Sequence, residues 1–198
     1  MAYIELLTVE QATGERKELY DELERVRGKG KVSNLFKGYS AFPALGKANF
    51  NRLNVLFGKG KLSPKLKEGI LTALAEINHC EYCVAFHATA MLNAGADDGE
   101  VRAALAFDPD RLGLPEKERE LFNYAMKANG DPHSITEKDI AKLRALGVTD
   151  WDLVETIETV NTGNSFNMFA GALNIGTDSF LTYMTDRTSE HAEHGKPA

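Results

Sequence analysis

Cysteine is scarce in this chain of 198 residues: there are two, Cys80 and Cys83, three positions apart. Secreted disulfide scaffolds spread several pairs along their length, so that class is excluded, and a lone C-x-x-C reads as redox or metal chemistry. Basic residues are outnumbered, 23 Lys and Arg against 29 Asp and Glu, giving a formal net charge of -6. A general phosphate-binding face needs a basic surface, so nucleic acid is not expected as a partner. No apolar run approaches the roughly 18 residues that a membrane-spanning helix requires, so no membrane association is expected. The opening MAYIELLTVEQATGERKELY carries acidic residues early and lacks an apolar core followed by a small-residue cleavage site. No secretory signal is read there, and the expected location is cytoplasmic. Two GKGK tetrapeptides occur, at 28–31 and 58–61. Neither supplies the Ser or Thr that a P-loop places after its lysine, so both read as solvated turns.

What is present is a composition of 43% hydrophobic and 26% charged residues, enough to bury one core. The expectation is a single helical domain over 1–185 and a polar, patternless tail over 186–198. Helical periodicity dominates and leaves little room for strands, which predicts an all-α fold. A first helix is expected from Thr8, with Gln11 reaching back, to about Arg27. A second starts near Pro43, with Leu45, Phe50, Leu53 and Phe57 on one face. Ser63-Pro64 is an N-cap followed by proline at the first helical position, and it opens a helix with Leu66, Ile70, Leu74 and Ile77 in one stripe. The next is expected to start at Asn78 or His79 and stop at Gly95. Further helices follow at about 98–106, 116–129, 137–146 and 150–174, with Thr136 and Thr149 as caps.

The chemistry-bearing segment runs from Glu68 to His87. On a helix, positions three, four and seven apart share a face, so Cys80, Cys83 and His87 point the same way. His87 stands one turn beyond Cys83, where its imidazole can take the thiol proton directly or through water. Cysteine attacks only as thiolate, and a free pKa of about 8.5 leaves a few per cent ionised at neutral pH. Cys80 is expected in the first helical turn, where unpaired N–H groups favour an anion, and Cys83 is expected to depend more on His87. Glu68 would lie about 22 Å from Cys83 on one continuous helix, at a rise of roughly 1.5 Å per residue. It reaches His87 only if the chain breaks at Asn78-His79 and folds back.

The spacing of Glu68, Cys80, Cys83 and His87 resembles the active-site motif of the AhpD-like alkylhydroperoxidases within the carboxymuconolactone decarboxylase superfamily. NLFKGYSAFPAL, DPHSITEKDIAKLRALGVTD and NSFNMFAGALNIG are similar to its peroxidase-related branch. The resemblance implies that Cys83 reacts with peroxide, that Cys80 resolves the product as a disulfide, and that Glu68 with His87 relays protons. It implies helical subunits assembling as homo-oligomers, commonly trimers or hexamers, no bound cofactor, and an external dithiol or redoxin as reductant. Relatives often place a histidine just before the second cysteine; Tyr82 stands there in this chain.

Other readings remain open at this point. Thiol-disulfide exchange without peroxide needs the same residues. A lactone decarboxylase of the same superfamily would generally lack the paired cysteines. A closed zinc site would need a fourth ligand beyond Cys80, Cys83 and His87, from Glu68 or His79, whereas a redox sensor, or an oligomeric structural protein in which the pair only staples a helix, would need no metal. Glu155 and Glu158 are read as a charged helix face, and Trp151, Phe166, Met168 and Phe169 as core or subunit packing.

Overall fold

The computed structural model describes residues 1–183. The expected tail at 186–198 lies outside the described residues. Among those described there is no strand, and the elements are helical: α1 Gly14–Arg27, α2 Asn34–Tyr39, α3 Pro43–Gly58, α4 Pro64–Ile77, α5 Glu81–Asn93, α6 Asp98–Leu105, α7 Glu116–Gly130, α8 Glu137–Ala145 and α9 Asp150–Ala172. No helix among them is long and apolar enough to cross a membrane.

Helix starts follow the chemistry of their caps. Ser63 Oγ accepts from the Leu66 N–H at 3.1 Å, and Thr136 and Thr149 each form a reciprocal capping box with the aspartate three residues on. Two starts differ from the sequence reading. Gln11 does reach back, accepting from the Thr8 N–H at 2.9 Å, but it closes only a turn, and α1 begins at Gly14. The short helix α2, one and a half turns over NLFKGY, shows too little periodicity to be read from sequence.

The reversal after α4 is the third difference, and it matters most. Asn78 does not cap a new helix; it closes α4, and His79 follows in the left-handed region at φ 50. The His79 N–H donates to the Glu76 carbonyl at 3.1 Å and the Cys80 N–H to the Ala75 carbonyl at 2.9 Å. This is the double hydrogen bond of a Schellman ending, which satisfies carbonyls that would otherwise be orphaned. Because only three residues, Asn78, His79 and Cys80, separate α4 from α5, α5 returns antiparallel against it.

Helix α4 packs against α5, α6, α7 and α9 and divides the interior. Leu66, Ile70 and Leu74 face one cluster with Val101, Leu121 and Phe122. On the other side, Tyr20, Phe36, Phe50, Phe166, Cys80 and Cys83 form a second. Each large apolar side chain so buried contributes about 1.5–3 kcal/mol. Ile77 leaves the expected stripe: it stands in the last turn of α4 and is exposed.

Glu155 overturns the reading of a charged helix face. It is buried, and its carboxylate accepts from Lys67 Nζ at 3.0 Å, the Lys61 N–H at 2.7 Å, the Leu62 N–H at 3.2 Å and the Trp151 indole N–H at 2.9 Å. Lys67 is fully buried with it and also donates to the Leu56 carbonyl at 3.0 Å. Gly58, Lys59 and Lys61 of the second GKGK are exposed, as in a solvated turn, but Gly60 lies against this carboxylate: a Cβ there would collide with it, so only glycine lets the backbone come this close. Glu158 keeps the expected role, pairing at the surface with Arg52 at 2.9 Å. Phe166 is core as expected, and Phe169 stacks on Tyr39 with ring centroids 3.9 Å apart, whereas Met168 is exposed.

Candidate active site

The α4–α5 hairpin builds the site. Cys80 is the N-cap of α5 rather than a residue inside its first turn, and its sulfur accepts from the Cys83 N–H at 3.3 Å. Cys83 occupies the first turn. The exposed N–H groups of the helix start therefore act at Cys80 through a direct hydrogen bond, and on Cys83 through the same helix end. The two sulfurs stand at disulfide distance, with Cα atoms 5.2 Å apart, and both cysteines are buried.

The antiparallel return of α5 closes the gap that a continuous helix would leave. Glu68 Oε2 and His87 Nδ1 are 2.9 Å apart, with both side chains largely shielded. An ionised carboxylate only accepts, so Nδ1 carries the hydrogen of this bond and a neutral ring presents Nε2 as the base.

Glu68, Cys83 and His87 border one cavity of about 350 Å³, and Cys80 does not. Its walls are largely apolar, with Leu53, Phe57, Leu71, Phe86 and Phe166 among them. Small ligand sites have this character: apolar walls and a few convergent polar groups. Among the described residues no group of three or more His, Cys, Asp or Glu side chains is arranged to hold a metal ion.

Tyr82 also borders the cavity, but its hydroxyl donates to Asp178 Oδ2 at 3.0 Å. Burial, reinforced by the neighbouring carboxylate, holds this phenol far above its ordinary range. It is an anchor for the chain after α9, not a proton donor to the pocket. His79 turns the chain at the surface and lies outside the cavity lining.

Two residues went unnoticed in the sequence. Arg27, at the C-terminal end of α1, places its guanidinium 5.2 Å from the Phe36 ring centroid, 5.4 Å from Phe50 and 5.6 Å from Phe86, where it borders the cavity. Cations over ring faces are held by the quadrupole of the ring. Burial lowers its pKa, while Tyr82, Glu68 and Asp178 oppose that shift. Asp178 accepts from the Asn34 N–H at 2.8 Å as well as from Tyr82, tying the chain after α9 to the start of α2. No local pattern announces it, since its partners are 144 and 96 residues away.

Burial raises the Asp178 pKa, outweighing the hydrogen bonds that lower it. The native chain then holds this proton more tightly than the unfolded chain does. That contribution to stability is complete below the ordinary aspartate range near 3.9 and is lost as pH rises through the native value. Asp178→Asn keeps an acceptor oxygen but cannot ionise. Urea unfolding from about pH 3.5 to 7 is expected to show the variant gaining on wild type as pH rises; parallel curves would refute the assignment.

Residues 43–109 match the carboxymuconolactone decarboxylase family, a span that contains Glu68, Cys80, Cys83 and His87. The stretch that carries the candidate site is therefore similar to that family. No curated protein matches the chain. Among solved structures it is similar to an uncharacterised peroxidase-related protein from Silicibacter sp. TM1040, with 22% identity over 92% of this chain and 95% of that one, at a TM-score of 0.79. A second, described as an alkylhydroperoxidase AhpD core from Ralstonia eutropha JMP134, gives 20% identity over 90% and 93% at 0.78. A third is the debrominase Bmp8 in complex with 2,3,4-tribromopyrrole, 16% identical over 90% and 95% at 0.71. At these identities the likenesses establish the helical fold alone, and one fold can host varied chemistry.

Proposed function

We propose that this chain is a C-x-x-C thiol peroxidase reducing hydrogen peroxide or alkyl hydroperoxides. One observation carries the reading: Cys83, His87 and Glu68 border a single cavity, while Cys80 waits at disulfide distance outside its lining. His87 Nε2 removes the Cys83 proton, directly or through water, with Glu68 fixing the ring. The thiolate attacks the terminal peroxide oxygen. The O–O bond breaks, Cys83 becomes a sulfenic acid, and the departing alkoxide takes a proton, so that ROOH leaves as ROH. Cys80 then attacks the Cys83 sulfur, forming the disulfide and releasing water. An external dithiol or redoxin supplies two electrons and two protons to reopen it, and no bound cofactor is needed. A cytoplasmic setting suits such a reductant, and the active assembly is a homo-oligomer, a trimer or hexamer as the resemblance implies.

Peroxide consumption driven by dihydrolipoamide tests this directly. Turnover is expected with hydrogen peroxide or a small apolar hydroperoxide such as cumene hydroperoxide. Reduced protein that consumes no peroxide at all would refute it.

The likeness to a debrominase favours a second reading on the same residues. A thiolate that attacks an electrophilic oxygen can also attack a ring bromine: the C–Br bond breaks, the ring carbon keeps the electron pair and takes a proton, and Cys80 then attacks the sulfenyl bromide on Cys83, forming the disulfide and releasing bromide. The aromatic cavity walls suit such a ring. Bromide release from a brominated pyrrole, with no peroxide turnover, would move the assignment there.

A further inference from the structure

Thr72 stands in the middle of α4, fully buried, and its hydroxyl has no hydrogen-bond partner. Helical threonines ordinarily satisfy the hydroxyl on the carbonyl four residues back. Thr156, Thr159 and Thr162 on α9 do so, at 2.7, 2.8 and 2.7 Å. A buried donor left unpaired is unfavourable, so its persistence invites a reason.

The pairing of α4 with α5 locates what Thr72 faces. At the hairpin end the Cys80 N–H meets the Ala75 carbonyl; further along, His87 meets Glu68. Three residues back from Ala75 on α4, and three forward from Cys80 on α5, are Thr72 and Cys83. Four forward from Glu68 and four back from His87 give the same two residues. Glu68, Thr72 and Ala75 share one helix face, as do Cys80, Cys83 and His87, so the two fixed contacts bracket Thr72 and Cys83 at one level. Thr72 does not border the cavity.

We infer that Thr72 is a positioning residue for Cys83, its hydroxyl donating to the Cys83 sulfur once the disulfide opens. In the disulfide state the sulfur is held toward Cys80 and the hydroxyl is left without an acceptor. In the dithiol state the thiolate fills that place, and a hydrogen bond to the charged form favours it. The hydroxyl thereby lowers the Cys83 pKa and tilts the redox balance toward the dithiol. This rests on the reading that Cys83 reacts as the thiolate, and it is tested without peroxide, so a failed peroxidase assay leaves it untouched.

The test compares Thr72→Val, which keeps the branched shape without the hydroxyl, with Thr72→Ser, which keeps the hydroxyl. In a Cys80→Ser background, the pH dependence of Cys83 alkylation by iodoacetamide reads the thiol pKa. Thr72→Val is expected to raise the midpoint by about one unit, a tenfold loss of thiolate below it. With both cysteines present, equilibration with dithiothreitol adds two electrons and two protons to the S–S bond while the reagent closes to its own disulfide. Thr72→Val is expected to shift this equilibrium about tenfold toward the protein disulfide, with Thr72→Ser near wild type in both assays. Midpoints and equilibria in Thr72→Val that match wild type would overturn the inference, as would Thr72→Ser departing as far as Thr72→Val. Without the valine substitution, the Thr72 methyl resonance in reduced protein is expected to titrate with the Cys83 midpoint. A resonance insensitive to that titration would equally overturn it.

Discussion

Cys83→Ser is expected to abolish steady-state peroxide turnover, by about 10³-fold or more, because the attacking atom itself is removed. Cys80→Ser is expected to lose steady turnover as well, but for a different reason: the sulfenic acid forms on Cys83 and nothing resolves it. A single stoichiometric burst of peroxide consumption in Cys80→Ser, with a dimedone adduct mapped to Cys83, is the signature of these roles. The geometric basis is the cavity wall, which Cys83 shares with His87 and Glu68 and Cys80 does not. A burst in Cys83→Ser, with the adduct on Cys80, would exchange the two assignments. His87→Ala keeps both sulfurs and removes the base, so its loss should be smaller at alkaline pH, where the thiol ionises unaided.

Glu155→Ala is expected to lower the unfolding free energy by about 3–5 kcal/mol, since removing one partner leaves the Lys67 ammonium buried and uncompensated. In a domain of this size that corresponds to roughly 6 to 20 °C in Tm, measured by circular dichroism or calorimetry. Glu155→Gln should cost less, because the amide oxygen still accepts from the Lys61 and Leu62 N–H groups. Replacing both charges with apolar side chains will not restore wild-type stability, since those N–H groups and the Trp151 indole would still lose their acceptor. A Glu155→Ala variant within about 0.5 kcal/mol of wild type would show that the ion pair is not the anchor that its burial indicates.

Much of the fold is legible because it is local. Ser63-Pro64, Thr136 and Thr149 start helices through hydroxyls acting within three residues, and Gly95 and Gly147 follow the last turns of α5 and α8 in the left-handed region. The reversal between α4 and α5 is harder to place. His79 fills the left-handed position that glycine usually takes, so the sequence shows a cap-like asparagine where the structure has a helix end. Glu155 misleads for the same kind of reason. On its own helix it sits among polar and charged neighbours, and its burial is decided by Lys67, Gly60 and Lys61 arriving from residues far along the chain.

The sequence by itself determines the helical class and the spacing of the candidate site residues, because capping, periodicity and the C-x-x-C to histidine spacing are properties of a few consecutive residues. Only the tertiary structure decides that Glu68 meets His87, that Cys83 and not Cys80 borders the cavity, and that Arg27 and Tyr82, the latter held by Asp178, line it with them. Those facts depend on the antiparallel register of α4 against α5 and on the packing of α1 and the chain after α9 over that pair. Register is set by many weak contacts between distant residues, and no short window of sequence contains them.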